Sequence, residues 1–425
     1  MNRRIIAVLA VVIAAGVGAC AEQLDGGRGC PQLCPSQTLT VFDTVINPTL
    51  VFDSTFTGYP EIGYEQQILL ATRGDTLETR GVIRFDTITT TVTPTGDTTR
   101  KITFVDSAFL HVILDTAHAR IPGTIRFELY DVDDSVETDT LAGPVNARFS
   151  PNRRIGGITV ARAFLPETLN IPLSDSAVLS RIQLRGRLRI GVRVDGSGPV
   201  WIRMGSTLSS TAASLLYKGF PDTTVAKISL APNSNYPTGS FEEGIRTGLT
   251  NYTIVAKNAI PQFSNTINVG GNPGRRGYLR FNIPSHIVDS STIVRATLTL
   301  TQRPIPYGDL RDTMTIQAHV VLAGPQVTDL RRAANIISAP GLDVNDSLLV
   351  SPRDSGQKTI NMFLLLRAWR TQDALLYPPP RAIVLRASPE NVLPFEVSFY
   401  NSNSPANLRP VLRISYVPAI TFGLP

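Results

Sequence analysis

Apolar and polar residues alternate with a period of two along much of the chain. Residues 188–194 read Leu-Arg-Ile-Gly-Val-Arg-Val, and residues 296–301 read Ala-Thr-Leu-Thr-Leu-Thr. Residues 125–129 and 412–416 show the same alternation. This pattern predicts β-strands that place one face in a core and the other in solvent. The chain is therefore predicted to have an all-β fold.

Several of these strands occur twice. Residues 80–86, Arg-Gly-Val-Ile-Arg-Phe-Asp, match residues 276–282, Arg-Gly-Tyr-Leu-Arg-Phe-Asn, and residues 105–112 match residues 293–300. A third strand near residue 215 matches residues 412–416 in the same order. Because order and spacing are kept, the sequence predicts two tandem jelly-roll-like β-sandwich modules, residues 36–222 and 223–425.

Helical patterns are rare. Met362, Leu365, Leu366 and Trp369 follow the spacing i, i+3, i+4, i+7, which predicts a short amphipathic helix near residues 361–371. Residues 329–338 form a second candidate. Neither recurs in a βαβ rhythm, which argues against a doubly wound fold.

The first residues have the pattern of an export signal. A basic start with Arg3 and Arg4 precedes an apolar run over residues 5–17, which is shorter than the roughly 20 residues that span a bilayer. Residues 17–20, Val-Gly-Ala-Cys, resemble a bacterial lipobox. The resemblance implies a signal peptide at residues 1–19 and a linker at residues 20–35 that is lipidated on Cys20; an ordinary secretory peptide cut near Ala19 is the alternative.

Two acyl chains on such a cysteine would anchor the protein to a membrane. Ala21 follows the cysteine where proteobacterial sorting uses Asp to retain a protein, so the resemblance implies a cell-envelope location, at the outer membrane of a two-membrane cell. Cys30 and Cys34 lie in the linker, and an oxidising compartment favours a local disulfide between them. A metal site is the alternative, but it needs two further soft ligands nearby.

The composition fits a globular β protein: 42% of the residues are hydrophobic and 17% are charged. The formal net charge of +6 includes the two arginines of the export signal. Arginines occur singly or in pairs and form no Lys/Arg run, so nucleic-acid binding is not expected.

No residue pattern points to catalysis. The four histidines, His111, His118, His286 and His319, lack a metal-ligand spacing, and no Gly-x-Ser-x-Gly motif occurs. We therefore expect a non-enzymatic protein without catalytic residues.

One acidic cluster is a candidate calcium site. Asp131, Asp133 and Asp134 lie close together, and carboxylate oxygens are the ligands that Ca²⁺ prefers. A solvated acidic loop is the alternative. Apart from this structural calcium, no cofactor is expected.

The duplicated strands resemble the DNRLRE-type carbohydrate-binding modules. The second copy carries the resemblance in residues 277–283, in residues 293–300 and in a closing Arg-Pro-Val-Leu-Arg-Ile-Ser-Tyr at residues 409–416. The first copy keeps residues 81–86 and the later strand but lacks the closing Arg-Pro. The resemblance implies tandem jelly-roll modules on an exported protein, with polysaccharide as a ligand.

Sugar binding commonly uses aromatic rings that stack on pyranose faces. Trp201, Tyr236, Tyr278 and Tyr307 are the candidate ligand-binding residues, with core or rim packing as the alternative. The leading hypothesis is a lipoprotein that binds polysaccharide or mediates surface adhesion. A structural lipoprotein that binds protein partners and a polysaccharide-degrading enzyme are the other two hypotheses.

Overall fold

A computed structural model describes residues 41–46, 52–60, 62–133, 142–184, 186–221, 225–232, 249–259, 263–306, 311–321, 343–371 and 381–418. The chain divides into two units, Met1–Phe42 and Asp43–Pro425. The architecture below is that of the second unit. Cys20, Cys30, Cys34 and the predicted helix at residues 329–338 lie outside the described residues, so the predictions made for them stay predictions.

Strands dominate the described chain. In order they are β1 (Phe42–Ile46), β2 (Phe52–Tyr59), β3 (Gln67–Arg73), β4 (Leu77–Phe85), β5 (Thr91–Val92), β6 (Arg100–Lys101), β7 (Val105–Arg120), β8 (Thr124–Asp131), β9 (Arg154–Ala161), β10 (Thr168–Pro172), β11 (Leu188–Gly196), β12 (Val200–Gly205), β13 (Ser214–Gly219), β14 (Ile228–Leu230), β15 (Asn251–Asn258), β16 (Thr266–Gly270), β17 (Gly274–Phe281), β18 (Ser291–Arg303), β19 (Met314–Val320), β20 (Asp343–Val350), β21 (Gly356–Asn361), β22 (Arg381–Ser388), β23 (Glu396–Tyr400) and β24 (Val411–Pro418). The α-helices are α1 (Ala142–Ala147), α2 (Asp175–Gln183), α3 (Ser285–Val288) and α4 (Phe363–Thr371).

Two antiparallel sheets of eleven strands have the same strand order. The first runs β14-β13-β7-β12-β3-β4-β11-β8-β9, with β10 on β7 and β15 on β4. The second runs β1-β24-β18-β23-β16-β17-β22-β19-β20, with β21 on β18 and β2 on β17. Every strand of one sheet thus has a counterpart in the other, and the predicted all-β sandwich fold is confirmed.

Each sheet folds over a core of its own. In the first, the beginning of β7 pairs with β10 and β13 while its end pairs with β12, so one long strand links two layers. Leu110 and Leu215 from one layer meet Phe127 and Ile190 from the other in one buried cluster. We call this body the first sandwich. The second sandwich is built in the same way around Leu298, Val397 and other buried residues of the second sheet.

The two sandwiches exchange strands. Strands β1 and β2, which precede the first sandwich in the chain, belong to the second sheet, and β14 and β15, which follow it, belong to the first. The pairings are equivalent, because Thr55 of β2 lies opposite Gly277 and Thr253 of β15 lies opposite Gly81. Each repeat therefore contributes its first two strands to the large sheet that is otherwise formed by the other repeat. The module limits at residues 222 and 223 stay a prediction from the repeat.

The helix predicted near residues 361–371 is present as α4. Its apolar stripe is buried: Met362, Leu365, Leu366 and Trp369 are at most 2% exposed, and they pack in the core of the second sandwich. Among the described residues, no helix is long and apolar enough to cross a membrane.

Candidate functional site

A cavity of about 500 Å³ lies between the two sandwiches. The first sandwich contributes the end of β7, a turn after β9 and two residues of β12, and the second contributes residues just before β19 and before β23. We call this cavity the cleft. Its lining residues are Ala117, His118, Ala119, Arg120, Ile121, Pro122, Arg162, Trp201, Arg203, Arg311, Asp312, Thr313, Leu393 and Phe395.

An irregularity in β7 shapes one wall of the cleft. On β12, Trp201 lies opposite Arg120 and Arg203 lies opposite Asp115, so two steps along β12 correspond to five along β7. Four residues of β7, 116–119, therefore stand where β12 has only one, and three of the four line the cleft. A bulge of this kind redirects side chains locally and is common beside functional sites.

Trp201 stands at the boundary between the core and the cleft. It is 9% exposed and belongs to the same buried cluster as Leu393 and Phe395 of the second sandwich. The Arg203 guanidinium carbon lies 5.5 Å from the centre of its ring. The indole is thus held firmly, with a limited part of its surface facing the cavity.

Arg203 joins the two walls of the cleft. Its Nε donates to the Val392 carbonyl of the second sandwich at 2.9 Å, and its Nη1 lies 3.3 Å from Oδ2 of Asp115 in the first. Burial lowers the pKa of Arg203, and the Asp115 charge opposes that shift. The guanidinium thus fixes the position of one sandwich against the other.

Asp115 holds the rim residue His118. Nδ1 of His118 lies 2.9 Å from the Asp115 carboxylate, and the imidazole is well exposed. Burial alone would raise the pKa of Asp115, but the hydrogen bonds and charge of His118 and the charge of Arg203 outweigh it and lower that pKa. The carboxylate is therefore ionised at neutral pH and cannot serve there as a proton donor.

Three more arginines surround the opening. Nη2 of Arg162 donates to the Thr116 carbonyl at 2.9 Å, which ties the turn after β9 to the β7 bulge. Nη1 of Arg120 lies 3.6 Å from Oδ2 of Asp312, an ion pair that spans the cleft. Arg311 is exposed beside them. Among the described residues, four arginines and one aspartate thus line the cavity, which gives this part of the lining an excess of positive charge.

The aromatic residues proposed from sequence have different positions. Trp201 lines the cleft, whereas Tyr278 is 1% exposed and makes an edge-to-face contact with Phe56 of the exchanged strand β2, 5.2 Å between ring centres. Since its ring is covered, Tyr278 offers no face to a ligand in this structure. Tyr236 and Tyr307 lie outside the described residues.

The acidic residues proposed for calcium are surrounded by arginines. Arg181 lies 2.6 Å from Oδ2 of Asp131, and Nε of Arg187 donates to Oδ1 of Asp133 at 2.8 Å. Asp134 lies outside the described residues. Guanidinium groups compete with a cation for the same oxygens, so these contacts favour an ion-pair network, and the calcium site stays a prediction.

In the part of the chain that the structure describes, no group of three or more His, Cys, Asp or Glu residues is placed to hold a metal ion. The sequence patterns did not reveal the arginines of the cleft, because they come from separate parts of the chain and meet only through the packing of the two sandwiches. Arg120 ends β7, Arg162 follows β9, Arg203 lies in β12 and Arg311 precedes β19. The one signal in the sequence was the general abundance of unclustered arginine.

In comparisons with known proteins, no family model matches the chain and no curated protein is significantly similar to it.

Proposed function

We propose that the chain is a lipid-anchored protein of the cell envelope that binds polysaccharide without cleaving it. The observation that carries the proposal is the cleft, in which one tryptophan and neighbouring apolar side chains lie beside several hydrogen-bond donors. The resemblance of residues 17–20 to a lipobox supports the anchor, and the resemblance to DNRLRE-type modules supports a saccharide ligand.

The dimensions and chemistry of the cleft suit part of a glycan. Its volume of about 500 Å³ is within the range of ordinary ligand sites, roughly 300–1,000 Å³. Sugar rings present an apolar C–H face and a rim of hydroxyl groups. The part of Trp201 that faces the cavity, with the apolar wall beside it, matches the C–H face of the sugar. The guanidinium groups match the hydroxyl groups.

A glycan-degrading enzyme is the second candidate, because His118 and Asp115 form a hydrogen-bonded pair at the rim of the cleft. Such a pair could orient a base. Incubation with the polysaccharides of the binding panel, followed by measurement of reducing ends and of the ultraviolet absorbance of unsaturated products, separates the two. We expect binding without turnover, and turnover that is lost in His118→Gln would favour the enzyme.

A structural role in binding proteins would need a large apolar surface. Phe164 and Leu184 are the most exposed large apolar side chains among the described residues, and they lie on different elements, a turn after β9 and the end of α2. Apolar residues that are scattered singly are ordinary on protein surfaces. The cleft is therefore the better basis for a function.

Fluorescence of the two tryptophans can test the proposal. Trp369 is 2% exposed within the second core, whereas Trp201 lines the cleft, so a ligand in the cleft should change the emission of Trp201 alone. The full-length protein in detergent is titrated with a panel of neutral and acidic polysaccharides. We expect a saturable change that persists in Trp369→Phe and disappears, with weaker binding by calorimetry, in Trp201→Phe.

Phenylalanine keeps much of the packing at both positions, and thermal melts of the variants check this. A full panel without any binding would refute the proposed function. Binding that Trp201→Phe leaves unchanged would place the site elsewhere. Incorporation of labelled fatty acid, abolished in Cys20→Ser, tests the anchor separately.

A further inference from the structure

We propose that the cleft is a composite site for an acidic saccharide, a sugar that carries a carboxylate, sulfate or phosphate group, and that it is formed jointly by both sandwiches. This inference rests on the proposed function and specifies its ligand. Two observations support it. Charged side chains from both sandwiches line the cleft, and the equivalent position in the second sandwich has different residues.

The charges that line the cleft favour an anion. In the part of the chain that the structure describes, the charged lining residues are Asp312 and four arginines, Arg120, Arg162, Arg203 and Arg311. Asp115 pairs with Arg203. Even with both of these carboxylates counted, the described arginines are in excess. In a partly enclosed space this excess is screened less than at an open surface, and paired guanidinium N–H groups match the geometry of an oxyanion.

Two of the guanidinium groups, those of Arg203 and Arg162, are positioned before any ligand arrives. Arg203 is fixed by Val392 and Asp115, and Arg162 is fixed by the Thr116 carbonyl. A guanidinium carries five N–H donors, so the one bond to Thr116 orients Arg162 and leaves donors for a ligand. Side chains held in this way lose little freedom on binding, which favours affinity.

The apolar wall indicates that the anion is attached to a ring. Trp201, Leu393 and Phe395 line the same cavity as the arginines, with Ile121 and Pro122 beside them. A free inorganic anion would gain nothing from this wall. A sugar with an acidic substituent would place its C–H face on the wall and its acid group among the guanidiniums.

The pseudo-symmetric position in the second sandwich is built differently. In the first sandwich, Trp201 of β12 lies opposite Ala71 of β3. The counterparts of these strands in the second sandwich are β23 and β16, and at the equivalent register Glu396 of β23 lies opposite Gly270 of β16. Glu396 is 4% exposed and paired with Arg275, and burial raises its pKa while Arg275 opposes the shift. A buried ion pair thus stands where the first copy has its tryptophan. The duplication gave two equivalent positions, and only the Trp201 position has the features of a binding site.

The test uses an acidic polysaccharide and the same polymer after chemical reduction of its carboxyl groups. Full-length protein in detergent is titrated by calorimetry with both, and with sulfated and phosphorylated glycans. Arg162 and Arg311 are exposed, so Arg162→Gln with Arg311→Gln should leave folding intact. Arg413→Gln is the matched control, because Arg413 is exposed on β24 and does not line the cleft.

We expect the acidic polymer to bind about tenfold or more tightly than the reduced one, and the double variant to lose this difference, because a hydrogen bond to a charged group contributes more than one between neutral groups. Added salt should weaken binding of the wild type and of Arg413→Gln. A preference for sulfate or phosphate over carboxylate would identify the acid group within the same inference.

Two results would overturn the inference and leave the proposed function standing. In one, the reduced polymer binds as well as the acidic one while Trp201→Phe still abolishes binding. In the other, Arg413→Gln weakens acidic binding as much as the double variant does, which would show a diffuse effect of charge. Failure of every glycan to bind would instead refute the proposed function itself.

Discussion

Glu65 lies in the connection between the exchanged strand β2 and β3, and its carboxyl group is buried. Oε2 accepts from the Gly63 N–H at 2.6 Å, and Oε1 accepts from the N–H of Thr253, in the exchanged strand β15, at 3.4 Å. Burial raises the pKa of Glu65 to about 7, although these backbone hydrogen bonds oppose the shift. The residue therefore links both exchanged segments through a carboxyl group that is protonated below neutral pH.

The sign of the pH effect follows from this raised pKa. The folded protein favours the protonated form, so the contribution of Glu65 to stability is fully present below its ordinary pKa of 4.5 and is lost as the pH rises through about 7. Glu65→Gln keeps the shape of the group without its charge. As the pH is raised from about 5 to about 8.5, we expect the free energy of unfolding of the variant to increase, relative to that of the wild type, by up to about 3 kcal/mol.

Denaturant unfolding at both pH values measures this difference. Glu167→Gln is the control, because Glu167 is exposed and this variant keeps Glu65. The difference in stability between this variant and the wild type should change little with pH. If the wild type and Glu65→Gln lost stability in parallel from acid to alkaline pH, Glu65 would not be the group responsible.

Among the elements, α4 shows how far a hydrophobic pattern determines structure. The spacing of Met362, Leu365, Leu366 and Trp369 predicted both the helix and the face that is buried. Leu366 is 0% exposed, whereas Leu364 in the same helix is 48% exposed. The same residue type thus occurs on both faces, which provides a matched pair of substitutions.

Leu366→Ala should reduce the free energy of unfolding by about 2–5 kcal/mol, because it removes buried methyl groups and leaves a cavity. Leu364→Ala should change it by less than about 0.5 kcal/mol, because the side chain is largely in solvent. Denaturant unfolding of both variants in one buffer checks the contrast. Equal losses would mean that the helix does not present this face to the core in solution.

The strand patterns predicted less than the helix pattern did. An alternating pattern in β4 that puts Ile83 and Phe85 in the core, where they lie, would put Val82 and Arg84 in solvent, but these two are 0% and 8% exposed. Val82 is covered by a second buried cluster that includes Tyr252 and Ile254 of β15. Since β15 belongs to the other repeat, a pattern read within β4 carries no information about it. The cleft was unpredictable for the same reason.

At the scale of the whole molecule, strand exchange makes one body from two repeats. Each sandwich contains two strands from the other repeat, so the repeats cannot separate without breaking the pairings of β2 with β17 and of β15 with β4. Both walls of the cleft are therefore held at a fixed separation. A site built from both copies needs such rigidity, because its donors must stay in position before a ligand binds.

This arrangement predicts the behaviour of a chain cut between the repeats. A protease site placed at residues 222–224, between β13 and β14, leaves β1 and β2 on the first fragment and β14 and β15 on the second. Because each fragment completes a sheet of the other, we expect the cleaved protein to elute as one particle of unchanged size in gel filtration. In denaturant it should separate into two fragments, which confirms that cleavage was complete.

Phe56→Ala makes the experiment specific to the exchanged strands. Phe56 on β2 contacts the ring of Tyr278 on β17, so its loss weakens the attachment of the first fragment to the second sandwich. The cleaved variant should therefore separate at a lower denaturant concentration than cleaved wild type. Fragments that separate in native buffer at low concentration would mean that β1 and β2 return to their own repeat, and that the two sandwiches are joined only by the linking chain.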